Sequence, residues 1–208
     1  MVIYDQRRQS SSTAKRRYRV KKVVTVYWLL PAKPERDLFC EVVRILRKEF
    51  RAPNFEPHLT LFSTTKDRPA SGQRQPASDL RRGEQLPKKV LKEISSRSIR
   101  LSARDVAFSS GFTKTLFVRF KSNDTLRKLV VDLSRAAKSS AKISRDPHVS
   151  LLYAKLPRAA KKELAAVMKL PFRTVVFDSI AAVRCVSPSR TKADVEAWRI
   201  LAKKSLRR

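Results

Sequence analysis

The sequence predicts an α+β protein made of two similar lobes, each a sheet backed by helices. Segments with the alternation of a β-strand are interleaved with segments whose apolar residues have helical spacing. The order strand, helix, histidine-containing strand occurs at 23–62 and recurs at 115–153, with more shared pattern than shared sequence. Of the 208 residues 42% are hydrophobic, enough to fill the core of one compact domain. We therefore predict a single bilobal domain over 23–202, derived from a duplication.

The first half of the chain carries clear periodic signals. An apolar, β-branched run at 23–30 predicts a buried strand, and a helix follows at 34–50. The next segment, 57–62, alternates as a strand. The helix is expected to bury one apolar face, formed by Leu38, Val42, Ile45 and Leu46.

The polar segment 64–83 is rich in breakers and predicts a mobile loop. A helix near 84–95 and strands near 98–107 and 115–121 follow it. The sequence "SNDT" then caps a helix at 123–138. The remaining predictions are a strand at 147–153, a helix at 158–168, strands at 173–178 and 180–187, a last apolar segment at 195–202 and a basic tip at 203–208.

The charge is the most unusual feature of the composition. Lys and Arg number 48 against 18 Asp and Glu, giving a formal net charge of +30. Residues 1–22 hold eight Lys or Arg and one acid, so this tail, predicted to be disordered, contributes +7 and leaves +23 on the body. A body with that charge favours a polyanionic partner, with RNA or DNA first and an anionic membrane surface second. A highly charged surface without a partner is the alternative.

Two cysteines, Cys40 and Cys185, form neither a disulfide framework nor a zinc site, and both are predicted to be buried free thiols in a reducing compartment. A cytoplasmic location follows as an expectation. Basic residues before the apolar run 23–30 resemble a signal peptide loosely, but the run is short and "PAKP" follows it. No segment has the roughly 18 apolar residues needed to span a membrane.

The chain has only two histidines, and they occur in matching contexts: "PHLTLF" at 57–62 and "DPHVSLLY" at 146–153. Residues i and i+2 of a strand face the same side. His58 and Thr60 are therefore expected to project together, as are His148 and Ser150. The leucines and valine between and after them would anchor each strand in the core. One such three-residue pattern alone is an ordinary strand; two copies favour a functional pair.

Two imidazoles facing one groove suit acid/base chemistry, because one can accept a proton while the other donates one. Hydrolysis of a cyclic phosphodiester needs this combination. The neighbouring hydroxyls can donate to phosphate oxygens that gain charge in the transition state. A serine nucleophile lacks its G-x-S-x-G context, and no carboxylate cluster accompanies the histidines at metal-ligand spacing, so we expect no metal and no cofactor.

The two histidine segments resemble the paired signatures of the two-histidine (2H) phosphoesterase superfamily, and most closely its cyclic phosphodiesterase branch from plants and yeast. "VYWLLP" at 26–31, "PHVSLLYAKL" at 147–156 and "AVRCVSPSRTKADVEAW" at 182–198 are similar to that branch as well. The likeness extends over about 23–202. Between 64 and 110 it is a likeness of layout only.

The resemblance implies antiparallel sheets that form a groove between two lobes. It also implies metal-independent hydrolysis of 2′,3′-cyclic phosphates on nucleotides, ADP-ribose cyclic phosphate or RNA ends. By position, His58 and His148 become the acid/base pair, and Thr60 and Ser150 the phosphate binders. Trp28 and Tyr153 match aromatics that flank the nucleotide; Tyr153 has the wrong strand parity, so a strand end or bulge must redirect it.

The basic tail and the Arg-rich loop favour an RNA end over a mononucleotide, since further phosphate contacts help only a longer chain. The expected partners are thus the cyclic-phosphate substrate and RNA bound through the basic surface, with no membrane and a monomeric chain. Two alternatives use the same residues and fold: a non-catalytic RNA-binding module and a 2′–5′ RNA ligase.

Overall fold

The structure is a computed structural model that describes residues 21–64, 77–139 and 146–207. The predicted tail therefore lies outside the described residues except for its last two positions. The predicted loop at 64–83 lies outside them over 65–76.

The described residues form seven strands, five α-helices and one short 3-10 helix, which confirms the predicted α+β class. The strands are β1 (Lys22–Pro31), β2 (Leu59–Ser63), β3 (Ile99–Phe108), β4 (Leu116–Phe120), β5 (His148–Leu152), β6 (Thr174–Ser187) and β7 (Arg199–Ser205). The α-helices are α1 (Glu35–Phe50), α2 (Ala77–Glu93), α3 (Asp124–Ala136), α4 (Arg158–Val167) and α5 (Lys192–Glu196). The 3-10 helix is Phe112–Lys114.

In the described residues, all seven strands belong to one antiparallel sheet, in the order β1-β2-β5-β4-β3-β6-β7. Strand β1 pairs with β6 as well as with β2. The predicted division into two lobes is not confirmed, because the pairings join the strands of both repeats into one sheet. Strand β2, which begins directly after His58, and strand β5, which begins at His148, are neighbours in it.

The sheet presents one face to the main core. Residues alternate along β1, so that Tyr27 and Leu29 lie in this core while Trp28 and Leu30 belong to a second cluster on the opposite face. Helix α3 contributes its predicted apolar residues to the main core: Leu126, Leu129, Val130 and Leu133. Its N-cap is Asn123, whose side chain accepts a hydrogen bond from the Leu126 backbone at 2.9 Å.

The predicted apolar face of α1 is wrong in part. The helix buries Phe39, Val43 and Leu46, whereas Leu38 and Ile45 are exposed. Apolar residues occupy two overlapping stripes in this sequence, and the stripe that carries the large Phe39 ring is the one that packs inward. Cys40, which lies beside Phe39, is exposed rather than buried as predicted, while Cys185 is buried.

Three element boundaries also differ from prediction. The strands expected at 173–178 and 180–187 are one continuous strand, β6, because its partner changes from β3 to β7 without a turn between them. Helix α2 begins at Ala77, earlier than predicted. The segment expected at 195–202 divides into the end of α5 and strand β7, which continues into the predicted basic tip. In the described ranges, no helix has the length and apolarity to cross a membrane.

Candidate active site

The two histidine segments meet side by side in the sheet. Leu59 of β2 pairs with Val149 of β5 in an antiparallel register. One step to either side, this register sets His58 opposite Ser150 and Thr60 opposite His148. Residues directly opposite on such strands have Cβ atoms about 4.5–5.5 Å apart, and diagonal neighbours such as the two histidines are about 7–8 Å apart. The four predicted residues thus occupy one face of a two-strand ladder.

The predicted alternation is confirmed on the other face of these strands. Leu59, Leu61, Val149 and Leu151 are all buried in the main core. Because the side chains of a strand alternate, these residues fix which face the histidines and hydroxyls present.

Both imidazoles are held by the same kind of hydrogen bond. His58 Nδ1 donates to the carbonyl oxygen of Glu56 at 2.6 Å, and His148 Nδ1 donates to that of Asp146 at 2.8 Å. A carbonyl oxygen can only accept, so Nδ1 carries the proton in each ring. In the neutral form of each ring, Nε2 is therefore the nitrogen with a lone pair to accept a proton.

His58 lies in an apolar, aromatic setting. Only 5% of its surface is exposed, and its ring stacks on Trp28 with centroids 3.7 Å apart and planes 12° apart. Burial lowers the pKa of His58 from 6.5 to about 4, with the charge of His148 also lowering it and the hydrogen bond to Glu56 opposing both. His58 is therefore neutral at physiological pH in the free protein.

His148 is less buried than His58 and has charged neighbours. Its ring meets the edge of Phe117 at a centroid distance of 5.1 Å. Lys114 Nζ lies 2.5 Å from Asp146 Oδ2 and 4.4 Å from the centroid of the Phe117 ring. Burial lowers the pKa of His148, as does the charge of Lys114, while the hydrogen bond to the Asp146 backbone and the Asp146 carboxylate raise it.

The two hydroxyl residues differ in exposure. Thr60 is exposed and pairs with Trp28 across β1 and β2. Ser150 is buried, and its Oγ donates to the carbonyl oxygen of Thr113 at 3.2 Å. The Thr60 hydroxyl is accessible to a phosphate bound over the ladder. The Ser150 hydroxyl must rotate away from the Thr113 carbonyl before it can donate to that phosphate.

The two predicted aromatics lie beside the ladder, but both are buried. Trp28 stacks on His58 as described. Tyr153 follows the last residue of β5, so the strand end frees it from the alternation. Burial raises the pKa of the Tyr153 phenol, and a hydrogen bond with Ser150 partly offsets this. The structure thus brings all six predicted residues together around one surface.

Sequence reasoning missed several neighbours of this surface. Trp198 meets the rings of Trp28, His58 and Tyr153 edge-on, at centroid distances of 5.4, 6.0 and 5.8 Å. Phe55 stacks on Tyr153 at 3.9 Å. No local motif marks these contacts, because their partners are far apart in the chain; the only available signal was that Trp198 ends the last segment of family resemblance.

Helix α5 positions Trp198. Thr191 Oγ1 accepts from the Asp194 backbone at 3.2 Å, and Asp194 Oδ2 accepts from the backbone of Thr191 at 3.1 Å, which forms a capping box. The indole Nε1 of Trp198, two residues after the helix, donates to Ser189 Oγ at 3.1 Å.

Over the ranges 21–64, 77–139 and 146–207, no three His, Cys, Asp or Glu side chains form a group that could hold a metal ion.

An α+β fold whose antiparallel sheet places two His-x-Thr/Ser segments side by side is the arrangement of the two-histidine phosphoesterases. This chain is a member of that superfamily. Within it, the chain belongs to the family of cyclic phosphodiesterase-like proteins, whose pattern matches residues 24–206. Membership of this family indicates phosphoesterase activity.

Solved structures share the fold at low sequence identity. The protein TT0787 of Thermus thermophilus is 18% identical, with a TM-score of 0.51 over 88% of this chain and 98% of that chain. A structure described as a phosphoesterase is 14% identical, with a TM-score of 0.52 over 89% and 99%. E. coli LigT in complex with 3′-AMP is 14% identical, with a TM-score of 0.49 over 91% and 100%. No curated protein sequence matches this chain.

Proposed function

We propose that this protein hydrolyses 2′,3′-cyclic phosphates of nucleotides or RNA ends, using His58 and His148 as the acid/base pair. The observation that carries the proposal is the shared geometry of the two rings. His58 immediately precedes β2 and His148 begins β5, so the two rings lie diagonally across the Leu59–Val149 pair, and each is fixed through Nδ1 to a backbone carbonyl two residues earlier. Each ring thus keeps Nε2 for proton transfer.

His58 is the better candidate for the base, because its more strongly lowered pKa keeps it neutral. Its Nε2 takes a proton from water as the water oxygen bonds to phosphorus. The bond from phosphorus to one ribose oxygen breaks, and protonated His148 gives that oxygen its proton. The negative charge of the bound phosphate raises the pKa of His148 and so favours the protonated form that an acid requires.

The hydroxyls of Thr60 and Ser150 are proposed to donate to the non-bridging phosphate oxygens as charge develops there. Trp28 and Tyr153 are proposed to border the nucleoside. Since both rings are buried, they also support the site from behind: Trp28 through its stack on His58, and Tyr153 through its contact with Ser150.

The test compares His58→Ala and His148→Ala with the parent chain on a nucleoside 2′,3′-cyclic phosphate in the presence of a chelator. Each variant is expected to lose about 10²-fold or more in kcat, as removal of a general acid or base predicts. Ser63→Ala, an exposed change further along β2, is the matched control and should keep the parental rate. Full turnover by either histidine variant would contradict the assignment.

The same assay separates the alternatives. A parent chain that binds cyclic-ended RNA without turnover would be a binding module. Product analysis on that RNA distinguishes hydrolysis from 2′–5′ joining of strands, and it identifies whether the phosphate remains on the 2′ or the 3′ oxygen.

A further inference from the structure

A row of charged residues continues from His148 across the sheet. Arg119 of β4 pairs directly with His148, and Asp105 of β3 pairs with Arg119. Directly opposed residues of antiparallel strands project from the same face. The edge contact between Phe117, two residues before Arg119, and the His148 ring shows that this face of β4 meets the site. Arg119 is therefore the next side chain beyond His148 on the catalytic face.

Asp105 fixes the guanidinium of Arg119 in a two-point ion pair. Arg119 Nε donates to Asp105 Oδ1 at 2.7 Å, and Arg119 Nη2 donates to Asp105 Oδ2. A guanidinium has five N–H donors, so this pair leaves three of them for another acceptor. The Arg119 side chain is 33% exposed, so those donors can reach a ligand.

The surrounding charges favour an anion. The hydrogen bond from Arg119 lowers the pKa of Asp105, and the charge of Arg104 lowers it further, so two guanidinium groups act on one carboxylate. Among the residues that the structure describes, the other carboxylate whose charge acts on Arg119 is that of Asp146, which also forms an ion pair with Lys114 at 2.5 Å. Within this described group, the positive charges of Arg104, Lys114 and Arg119 outnumber the negative charges of Asp105 and Asp146.

We infer that Arg119 forms a second phosphate subsite, which binds the phosphate on the 5′ oxygen of the nucleotide that carries the cyclic phosphate. This inference rests on the proposed function, since it needs the cyclic phosphate to lie between His58 and His148. In the substrate, one ribose separates the 5′ phosphate from the cyclic phosphate. In the protein, Arg119 lies on the strand next to that of His148. The preferred substrate class is then a cyclic-ended nucleotide with a 5′ phosphate or phosphodiester, as at an RNA end.

The experiment measures kcat/KM for a nucleoside 2′,3′-cyclic phosphate, for the same compound with a 5′ phosphate and for a cyclic-ended dinucleotide. The parent chain is expected to prefer the two 5′-substituted substrates by about tenfold, because a hydrogen bond to a charged group contributes at least that factor to binding. Arg119→Gln should reduce that ratio to near one. Arg119→Lys, which keeps the charge but not the planar fork, should give an intermediate ratio.

Arg44→Gln is the matched control, because Arg44 makes a similar two-point ion pair with Glu41 on the exposed face of α1. It should keep the parental ratio. A parental ratio near one would overturn the subsite. So would an equal loss on all three substrates in Arg119→Gln, since that would show Arg119 acting only on the position of His148.

If the parent chain turns over none of these compounds, the proposed function fails and the subsite is decided by binding. Calorimetry would then compare a nucleoside 3′-phosphate with a nucleoside 3′,5′-bisphosphate. Tighter binding of the bisphosphate that is lost in Arg119→Gln supports the subsite. Equal binding of the two compounds overturns it.

Discussion

At the scale of single residues, a backbone carbonyl orients each imidazole, a role that a carboxylate has in many enzymes. The carbonyl groups of Glu56 and Asp146 fix the ring orientation and the tautomer of His58 and His148. A carbonyl is neutral, so it stabilises a charged ring less than a carboxylate would. Burial can therefore prevail, and both rings have lowered pKa values in the free protein. In the proposed reaction, the phosphate of the substrate supplies the charge that favours protonation of His148.

The lowered pKa of His58 makes stability depend on pH. Its pKa is about 4 in the folded chain and near 6.5 when unfolded, so the unfolded chain binds the proton more tightly between these values. The stabilisation is present above about pH 6.5 and is lost as pH falls towards 4. Because of His58, we expect the free energy of unfolding to decrease by roughly 2 kcal/mol from pH 7.5 to pH 5. Urea unfolding at the two pH values measures this difference.

The control is His58→Gln, which cannot titrate and should lack this part of the pH dependence. Because the chain has only two histidines, proton NMR of the imidazole resonances also gives the pKa of each ring directly. A His58 resonance that titrates near 6.5 in the folded chain would disprove the prediction.

Which residues the sequence could reveal depends on how local their signal is. The His-x-Thr/Ser spacing predicts that His58 and Thr60 share a face, since strand geometry alone requires it. It does not predict that β2 and β5 pair with each other. The expectation that the two copies lie close together rests on their matching contexts and on the family resemblance. Arg119 and Trp198 reach the site through pairing and packing between distant segments, and no spacing in the sequence encodes these contacts.

At the scale of elements, the five-residue helix α5 positions an aromatic side chain of the site. Its capping box involves Asp194, whose carboxylate also accepts from Lys21 Nζ at 2.7 Å and from the Arg190 backbone at 2.9 Å. Burial raises the pKa of Asp194, but the hydrogen bonds from Lys21, Arg190 and Thr191 together lower it to about 2. The helix in turn sets Trp198 against the aromatic side of the site.

We predict that Asp194→Asn destabilises the protein by about 1–2 kcal/mol, because a buried carboxylate with several donors is replaced by an amide that cannot satisfy them all. For a chain of this size, that corresponds to a decrease in Tm of about 2–8 °C. Calorimetry measures it. The tryptophan fluorescence should change as well, since Trp198 depends on this helix.

The control for that variant lies on the same helix. Glu196→Gln removes an exposed ion pair with Lys192 at 3.8 Å and should change Tm little. An Asp194→Asn variant with the parental Tm and fluorescence would show that the cap does not hold Trp198 in place.

Element existence was easier to predict than element limits, and β6 shows why. The sequence predicts two strands here, at 173–178 and 180–187. The chain continues as one strand because β1 pairs along most of its length on one side, while β3 and β7 succeed each other on the other side. Whether such a segment forms one strand or two depends on the strands with which it pairs, and its own sequence does not encode those partners.

At the scale of the whole molecule, the charge remains to be explained. A cyclic mononucleotide needs few positive charges, yet the body from residue 23 onward carries +23. A chain with this net charge attracts a polyanion over distances longer than any contact, and salt screens that attraction. We propose that the body charge recruits RNA, while the ladder of His58, Thr60, His148 and Ser150 acts on its cyclic end.

The last prediction follows from counterion release. Single-stranded nucleic acid loses affinity with a slope of about −0.7 in log salt for each phosphate that a protein neutralises. With about three phosphate contacts beyond the cyclic end, kcat/KM for a cyclic-ended oligonucleotide should fall roughly tenfold to twentyfold between 50 and 200 mM salt. The value for a cyclic mononucleotide should fall much less, because it lacks those contacts. Steady-state kinetics on both substrates across this salt range measures the two slopes. Equal efficiency for the two substrates at low salt would mean that the charge does not recruit RNA, although acid/base catalysis by the two histidines would stand independently of that result.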